Sequence, residues 1–110
     1  VKVLVCGGRD FSDIFAMRAA LKELLPGTII VHGAAKGADA LAGTVAREMG
    51  FEVREYPAKW DVHGRSAGPR RNIEMLEKEI PDLVIAFPGG KGTAHMCSIA
   101  EKAGVTVKKL

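Results

Sequence analysis

The 110-residue chain is 47% hydrophobic and free of repeats or low-complexity tracts, which suits one core and excludes two. A net charge of +3 and an aromatic content of 5% favour small anionic ligands over a stacking platform of several rings for nucleic acid. Its longest apolar stretches fall far short of the ~18–20 residues of a membrane span and no leader is visible, so we expect a single cytoplasmic domain over residues 1–110 without a membrane partner.

Val3-Leu4-Val5-Cys6 reads as a strand running into the turn Gly7-Gly8-Arg9-Asp10-Phe11-Ser12. Ile14, Met17, Leu21, Leu24 and Leu25 then mark a helix that Pro26-Gly27 stops. The design repeats: Ile29-Ile30-Val31 runs into His32-Gly33-Ala34-Ala35-Lys36-Gly37-Ala38-Asp39, and Leu41, Val45 and Met49 mark a helix closed by Gly50. Phe51 to Tyr56 alternates apolar with charged residues, as an edge strand does. The connection from Pro57 to Pro69 reads as a long loop of the kind that forms lids. A helix follows from about Arg70 to Glu79, with Ile73, Leu76 and Ile80 as its apolar stripe and Pro81 as its stop.

Leu83-Val84-Ile85-Ala86-Phe87 has no alternation and suits a strand buried on both faces. It leads through Pro88-Gly89-Gly90-Lys91-Gly92 to Thr93 and a helix carrying Met96, Ile99, Ala100 and Ala103, with Gly104 placed for a left-handed stop. Val105 to Lys109 closes the series, its terminal lysines discouraging edge pairing. The expected fold is therefore α/β: a three-layer, Rossmann-like domain with a five-stranded parallel sheet of order 3-2-1-4-5 and four helices. All glycine-bearing turns then share one sheet edge, and the switch point sets Gly7 to Asp10 beside Pro88 to Thr93.

That edge suits an anion. Glycines at 89, 90 and 92 permit positive φ and close backbone approach, and the helix that follows points its N–H groups and positive dipole end at the turn. Thr93 either caps this helix or donates to a phosphate oxygen. The spacing matches neither a Walker loop nor a Rossmann G-x-G-x-x-G. Arg9, Lys36, Lys59, Arg65, Arg70, Arg71 and Lys91 all fall on these turns and the connection, whereas Lys22 and Lys78 read as solvated helix faces. Arg71 is suited to forking onto a phosphate and Asn72 to pairing with a base edge or carboxamide. Trp60, the single tryptophan, either stacks on a base or packs the connection onto the core.

Cys6 and Cys97 lack Cys-x-x-Cys spacing and read as buried thiols, and His32, His63 and His95 sit on separate elements without a zinc pattern, so neither a metal nor a cofactor is expected. Asp10 and Asp39 are the candidate catalytic carboxylates, each with a plain alternative as a dipole-offsetting residue near a helix start.

Five ordered motifs carry a family resemblance. Gly7-Gly8-Arg9-Asp10-Phe11, His32-Gly33-x-x-Lys36-Gly37-x-Asp39, Pro57-Ala58-x-Trp60, Ala67-Gly68-Pro69-x-Arg71-Asn72-x-x-Met75 and Phe87-Pro88-Gly89-Gly90-x-Gly92-Thr93 resemble the YspA-like branch of the SLOG superfamily. The resemblance implies a Rossmann-like domain binding a nucleotide or nucleotide-derived molecule, often as a dimer or larger homo-oligomer. It places ligand contacts on residues 7–10, 32, 33, 36, 37, 39, 60, 71, 72 and 88–93. Relatives include the Lonely Guy phosphoribohydrolases and the DNA-processing protein A family, so N-glycosidase activity on nucleoside monophosphates and single-stranded DNA binding are the competing readings. The phosphoribohydrolases carry a glutamate three residues after the threonine of the glycine motif, where this chain has Met96. The expected function is accordingly ligand binding, as a sensor or sequestering module, with Asp39 on a ribose hydroxyl and Arg71 on the phosphate.

Overall fold

The computed structural model describes residues 1–110. Five parallel strands, β1 (Lys2–Cys6), β2 (Ile29–His32), β3 (Glu52–Glu55), β4 (Leu83–Ala86) and β5 (Thr106–Lys109), lie in the order β3-β2-β1-β4-β5. The crossovers are α1 (Ile14–Lys22), α2 (Ala38–Glu48), α4 (Ala67–Glu79) and α5 (Lys91–Lys102); a short helix α3 (Trp60–His63) sits within the connection before α4.

Residues alternate between the two faces of the central strands. Val3 and Val5 of β1 join Met17 and Leu21 of α1 and Val45 of α2 in one cluster, whereas Leu4 and Cys6 join Met75 of α4 and Met96 and Ala100 of α5 in the other. Both sheet faces are therefore covered, giving three layers. The sheet edges, β3 and β5, are the strands with the most exposed and charged residues, as the alternation in the sequence implies.

Helix boundaries depart from the sequence reading in three places. α1 is capped by Asp13, whose carboxylate accepts from Ala16 N–H at 3.0 Å, so Asp10 lies in the preceding turn and not at the helix start. The helix stops at Lys22, and Leu24 and Leu25 fall beyond it because Pro26 disfavours helical backbone at the residue before it. The connection from 57 to 69 is helical in large part. α3 leads into a 3₁₀ turn (Gly64–Ser66), and α4 starts at Ala67, with Pro69 tolerated in its first turn.

The buried face of α4 also differs from the expected stripe. Asn72, Met75 and Glu79 face inward, while Ile73 and Ile80 are exposed. Glu79 is held there by Tyr56 Oη, by Arg54 at 2.9 Å and by Lys2 at 3.2 Å, so a charged anchor occupies a position that hydrophobic periodicity assigns to solvent. Ile80 ends the helix in the left-handed region (φ 46°) ahead of Pro81.

Candidate functional site at the switch point

A crevice of about 660 Å³ opens at the carboxyl edge of the sheet, between the turns after β1 and β4 and under the start of α4. Its wall on the β1 side is Gly7-Gly8-Arg9. A Cβ on Gly7 would lie 2.9 Å from the Phe87 Cβ, so only glycine lets β1 and β4 leave the sheet this close together. Gly8 ties three turns to one another: its N–H donates to Pro88 O at 2.8 Å, and its carbonyl accepts from Ala38 N–H at 3.1 Å.

The opposite wall is the start of α5. The first helical bond, Ala94 N–H to Gly90 O at 3.0 Å, leaves the N–H groups of Lys91, Gly92 and Thr93 without an intrahelical acceptor. Gly90 is the N-cap residue, and no side chain caps the helix, so the Thr93 hydroxyl does not serve as the cap. None of Gly89, Gly90 and Gly92 has positive φ, contrary to the expectation from sequence. Crowding is what demands glycine, and at 89 alone: a Cβ there would sit 2.7 Å from Gly8 N and collide with Thr93, whereas Gly90 and Gly92 face open space.

The turn after β2 is held from within. His32 Nδ1 accepts from Ala34 N–H at 2.9 Å, and Asp39 Oδ2 accepts from Gly33 N–H at 3.1 Å and Ala35 N–H at 3.3 Å. These bonds stabilise a backbone in which Ala34 takes φ 57°. Burial raises the Asp39 pKa, opposed by the Ala35 and Gly33 amides and by Arg71, so the carboxylate lining the crevice is already engaged in holding its own loop.

From α4, Arg71 and Asn72 reach across to both sides. Arg71 donates to the carbonyl oxygen of Gly33 and, through Nε, to Asn72 Oδ1 at 2.9 Å. Asn72 Nδ2 in turn donates to Gly92 O at 3.2 Å and lies 3.1 Å from His95 Nδ1. Asn72 is buried and its amide is committed to the protein, so it does not present a free edge to a base. Over the mouth, the Arg9 guanidinium stacks on Trp60, 5.6 Å from the ring centroid, and Trp60 stays about half exposed.

Of the residues singled out from sequence, Gly7, Gly8, Arg9, Gly33, Asp39 and Trp60 line the crevice, together with Arg71, Asn72 and residues 90–93. Asp10, His32, Lys36, Gly37, Pro88 and Gly89 do not. Asp10 is exposed in its turn; His32 is buried against Gly43 of α2; Gly37 supplies the φ 77° that starts α2; and Pro88 and Gly89 face the other side of the turn. The floor is apolar, formed by Met75 and Met96, and Cys6 adds a thiol that burial keeps protonated. Sequence reasoning passed over His95, also in the lining; its signal was its place in the second turn of α5, two residues beyond Thr93.

Residues 1–63 match the family described as the YspA, cpYpsA-related SLOG family. The chain is also similar to the Gene 61 protein of Mycobacterium phage D29, at 39% identity over 96% of this chain and 93% of the phage protein.

Proposed function

The chain belongs to the YspA, cpYpsA-related SLOG family, and from that premise we propose that it is a single cytoplasmic domain, assembled as a homo-oligomer, that binds a nucleotide or nucleotide-derived phosphorylated ligand as a sensor or sequestering module. The observation that carries the reading is the distribution of ion pairs. Lys2, Arg18, Arg47, Arg54, Lys78, Lys108 and Lys109 each have a carboxylate partner, and none of them lines the crevice. Arg9, Lys36, Lys59, Arg65, Arg70, Arg71 and Lys91 lie at the edge, and none has a carboxylate within ion-pair distance. Elsewhere only Lys22 and Lys102 are unpaired.

A phosphate at the α5 turn would meet three orphan N–H groups, the helix dipole and Lys91 together. The test is calorimetric titration with adenosine, inorganic phosphate and the four nucleoside monophosphates, with mass spectrometry of the mixtures afterwards. Saturable binding of a monophosphate, with its nucleoside much weaker and both recovered unchanged, supports the reading. Absence of binding by every phosphate overturns it.

A further inference from the structure

A second, smaller hollow of about 270 Å³ adjoins the crevice at the Arg9–Trp60 stack. The two share Arg9, Gly33, Ala35, Trp60 and Arg71 in their walls, and Lys36, Ala34, Pro57 and Ala58 complete the smaller one. Its chemistry is one-sided. Arg9, Lys36 and Arg71 bring three cations, no Asp or Glu lines it, and none of the three cations has a carboxylate within ion-pair distance.

The backbone accounts for one of the three, since Arg71 donates to the carbonyl oxygen of Gly33; Arg9 and Lys36 have no such partner. Ala34 N–H donates to His32 and Ala35 N–H to Asp39, so the amides of the turn are already engaged and an anion in the hollow would be held by the side chains of Arg9 and Lys36. The Asp39 carboxylate behind the turn offsets part of the Arg71 charge, which leaves Arg9 and Lys36 as like charges that a bound anion would relieve. At this size the hollow falls below the ~300 Å³ of whole-ligand pockets and suits a single group of a larger molecule.

We propose that the ligand is a nucleotide carrying two phosphoryl groups, one on the α5 turn and one in the hollow beside Lys36, passing beneath the Arg9–Trp60 stack. This rests on the reading of the crevice as a nucleotide site and adds the class of nucleotide. Lys36 is the discriminating residue: it lines the hollow and not the crevice, and being exposed and unpaired it can be changed without disturbing the fold.

The experiment is calorimetric titration of the parent, Lys36→Ala, Lys36→Arg and Lys22→Ala with AMP, ADP and adenosine 3′,5′-bisphosphate. Lys22, unpaired at the far end of α1, controls for net charge alone. The parent is expected to prefer at least one of the two bisphosphorylated nucleotides over AMP by about tenfold or more, a single well-placed charged contact being of that size. Lys36→Ala collapses that ratio towards one; Lys36→Arg and Lys22→Ala keep it. A parent that binds AMP with no such preference, or a ratio that survives Lys36→Ala, refutes the second subsite and leaves the crevice reading standing. A parent that binds none of the three, and none of the other monophosphates or inorganic phosphate, refutes both; where a monophosphate of another base binds, that base's mono- and bisphosphorylated nucleotides carry the same comparison.

Discussion

The Asn72 side-chain nitrogen lies 3.1 Å from His95 Nδ1, and the roles in this contact are fixed by its neighbours. Arg71 Nε can only donate, so the Asn72 atom it meets is the oxygen; the Gly92 carbonyl can only accept, so the atom it meets is the nitrogen. His95 Nδ1 is therefore the acceptor, and the neutral ring carries its proton on Nε2. One buried amide thus links the turn after β2, the start of α4 and the start of α5, and leaves a single imidazole N–H for a ligand.

Two-bond nitrogen–proton correlation spectra should accordingly show neutral His95 as the Nε2–H tautomer. Asn72→Asp places an acceptor opposite Nδ1 and should move the proton to it. Asn72→Ala strands the Arg71 Nε–H and the Gly92 carbonyl, and is expected to lower stability by about 1–3 kcal/mol in a urea titration. An unchanged tautomer in Asn72→Asp would show that the ring is oriented by something else.

Arg71→Ala removes the bond to the Gly33 carbonyl as well as a charge that lines the crevice. It should therefore weaken both a nucleoside and its monophosphate, the monophosphate more, by about 1.5–3 kcal/mol for the charged contact. Arg71→Lys restores only part, since one ammonium cannot reach Gly33 O and Asn72 Oδ1 in the fork geometry of a guanidinium. A loss confined to the monophosphate would mean that the contact with the Gly33 carbonyl contributes nothing to binding.

The glycines of the α5 turn separate by crowding. Gly89→Ala drives a methyl onto Gly8 N at 2.7 Å and into Thr93, with an expected cost of about 1–3 kcal/mol in stability. Gly90→Ala meets nothing within 4 Å and should leave the melting temperature nearly unchanged while obstructing a ligand seated on the turn. Equal melting temperatures for both variants would contradict the packing described for Gly89.

The strand order was legible because each central strand is an unbroken apolar run ending in a glycine turn, a pattern that parallel crossovers permit in few ways. The inward face of α4 was not. Asn72 and Glu79 are polar residues buried for their hydrogen bonds, and hydrophobic periodicity assigns such positions to solvent. The same blind spot hid His95, whose role depends on a residue 23 positions away. Nor does sequence distinguish a glycine needed for space, Gly89, from one facing open space, Gly90.

His32 makes stability depend on pH. It is buried, and desolvation holds its pKa below the ordinary value near 6.5, outweighing the opposing pull of Glu55, while Arg47 and Arg71 act in the same direction as burial. Above pH ~6.5 the ring is neutral in both folded and unfolded chains and its contribution is fully present. As the pH falls through ~6.5 the unfolded chain takes up the proton first, and stability drops by up to about 1.4 kcal/mol per pH unit until the lower folded value is reached. Protonation at Nδ1 also breaks the bond from Ala34 N–H that shapes the second turn. Urea midpoints measured between pH 7.5 and 5 should show this loss, and His32→Asn, which keeps an acceptor for Ala34, should flatten it. An identical pH profile in the variant would place the titrating group elsewhere.

No release of free base from nucleoside monophosphates is expected. Met96 stands where the related phosphoribohydrolases have a glutamate, and its side chain packs beside Leu4, Met75 and Val84 with 1% exposure. Cleavage of an N-glycosidic bond needs a carboxylate to stabilise an oxocarbenium-like state and activate water, and a general base alone contributes about 10²- to 10⁴-fold. Asp39 is the carboxylate that lines the crevice, and its Oδ2 already accepts two backbone N–H groups. Met96→Glu is not expected to restore activity, because it sets an unpaired charge among apolar neighbours and should destabilise the fold first. The measurement is chromatographic detection of base and ribose phosphate after prolonged incubation with the monophosphates that bind. Turnover that is lost in Asp39→Asn, with ligand affinity retained, would show that this second-turn carboxylate has taken the catalytic role and that the domain is an enzyme.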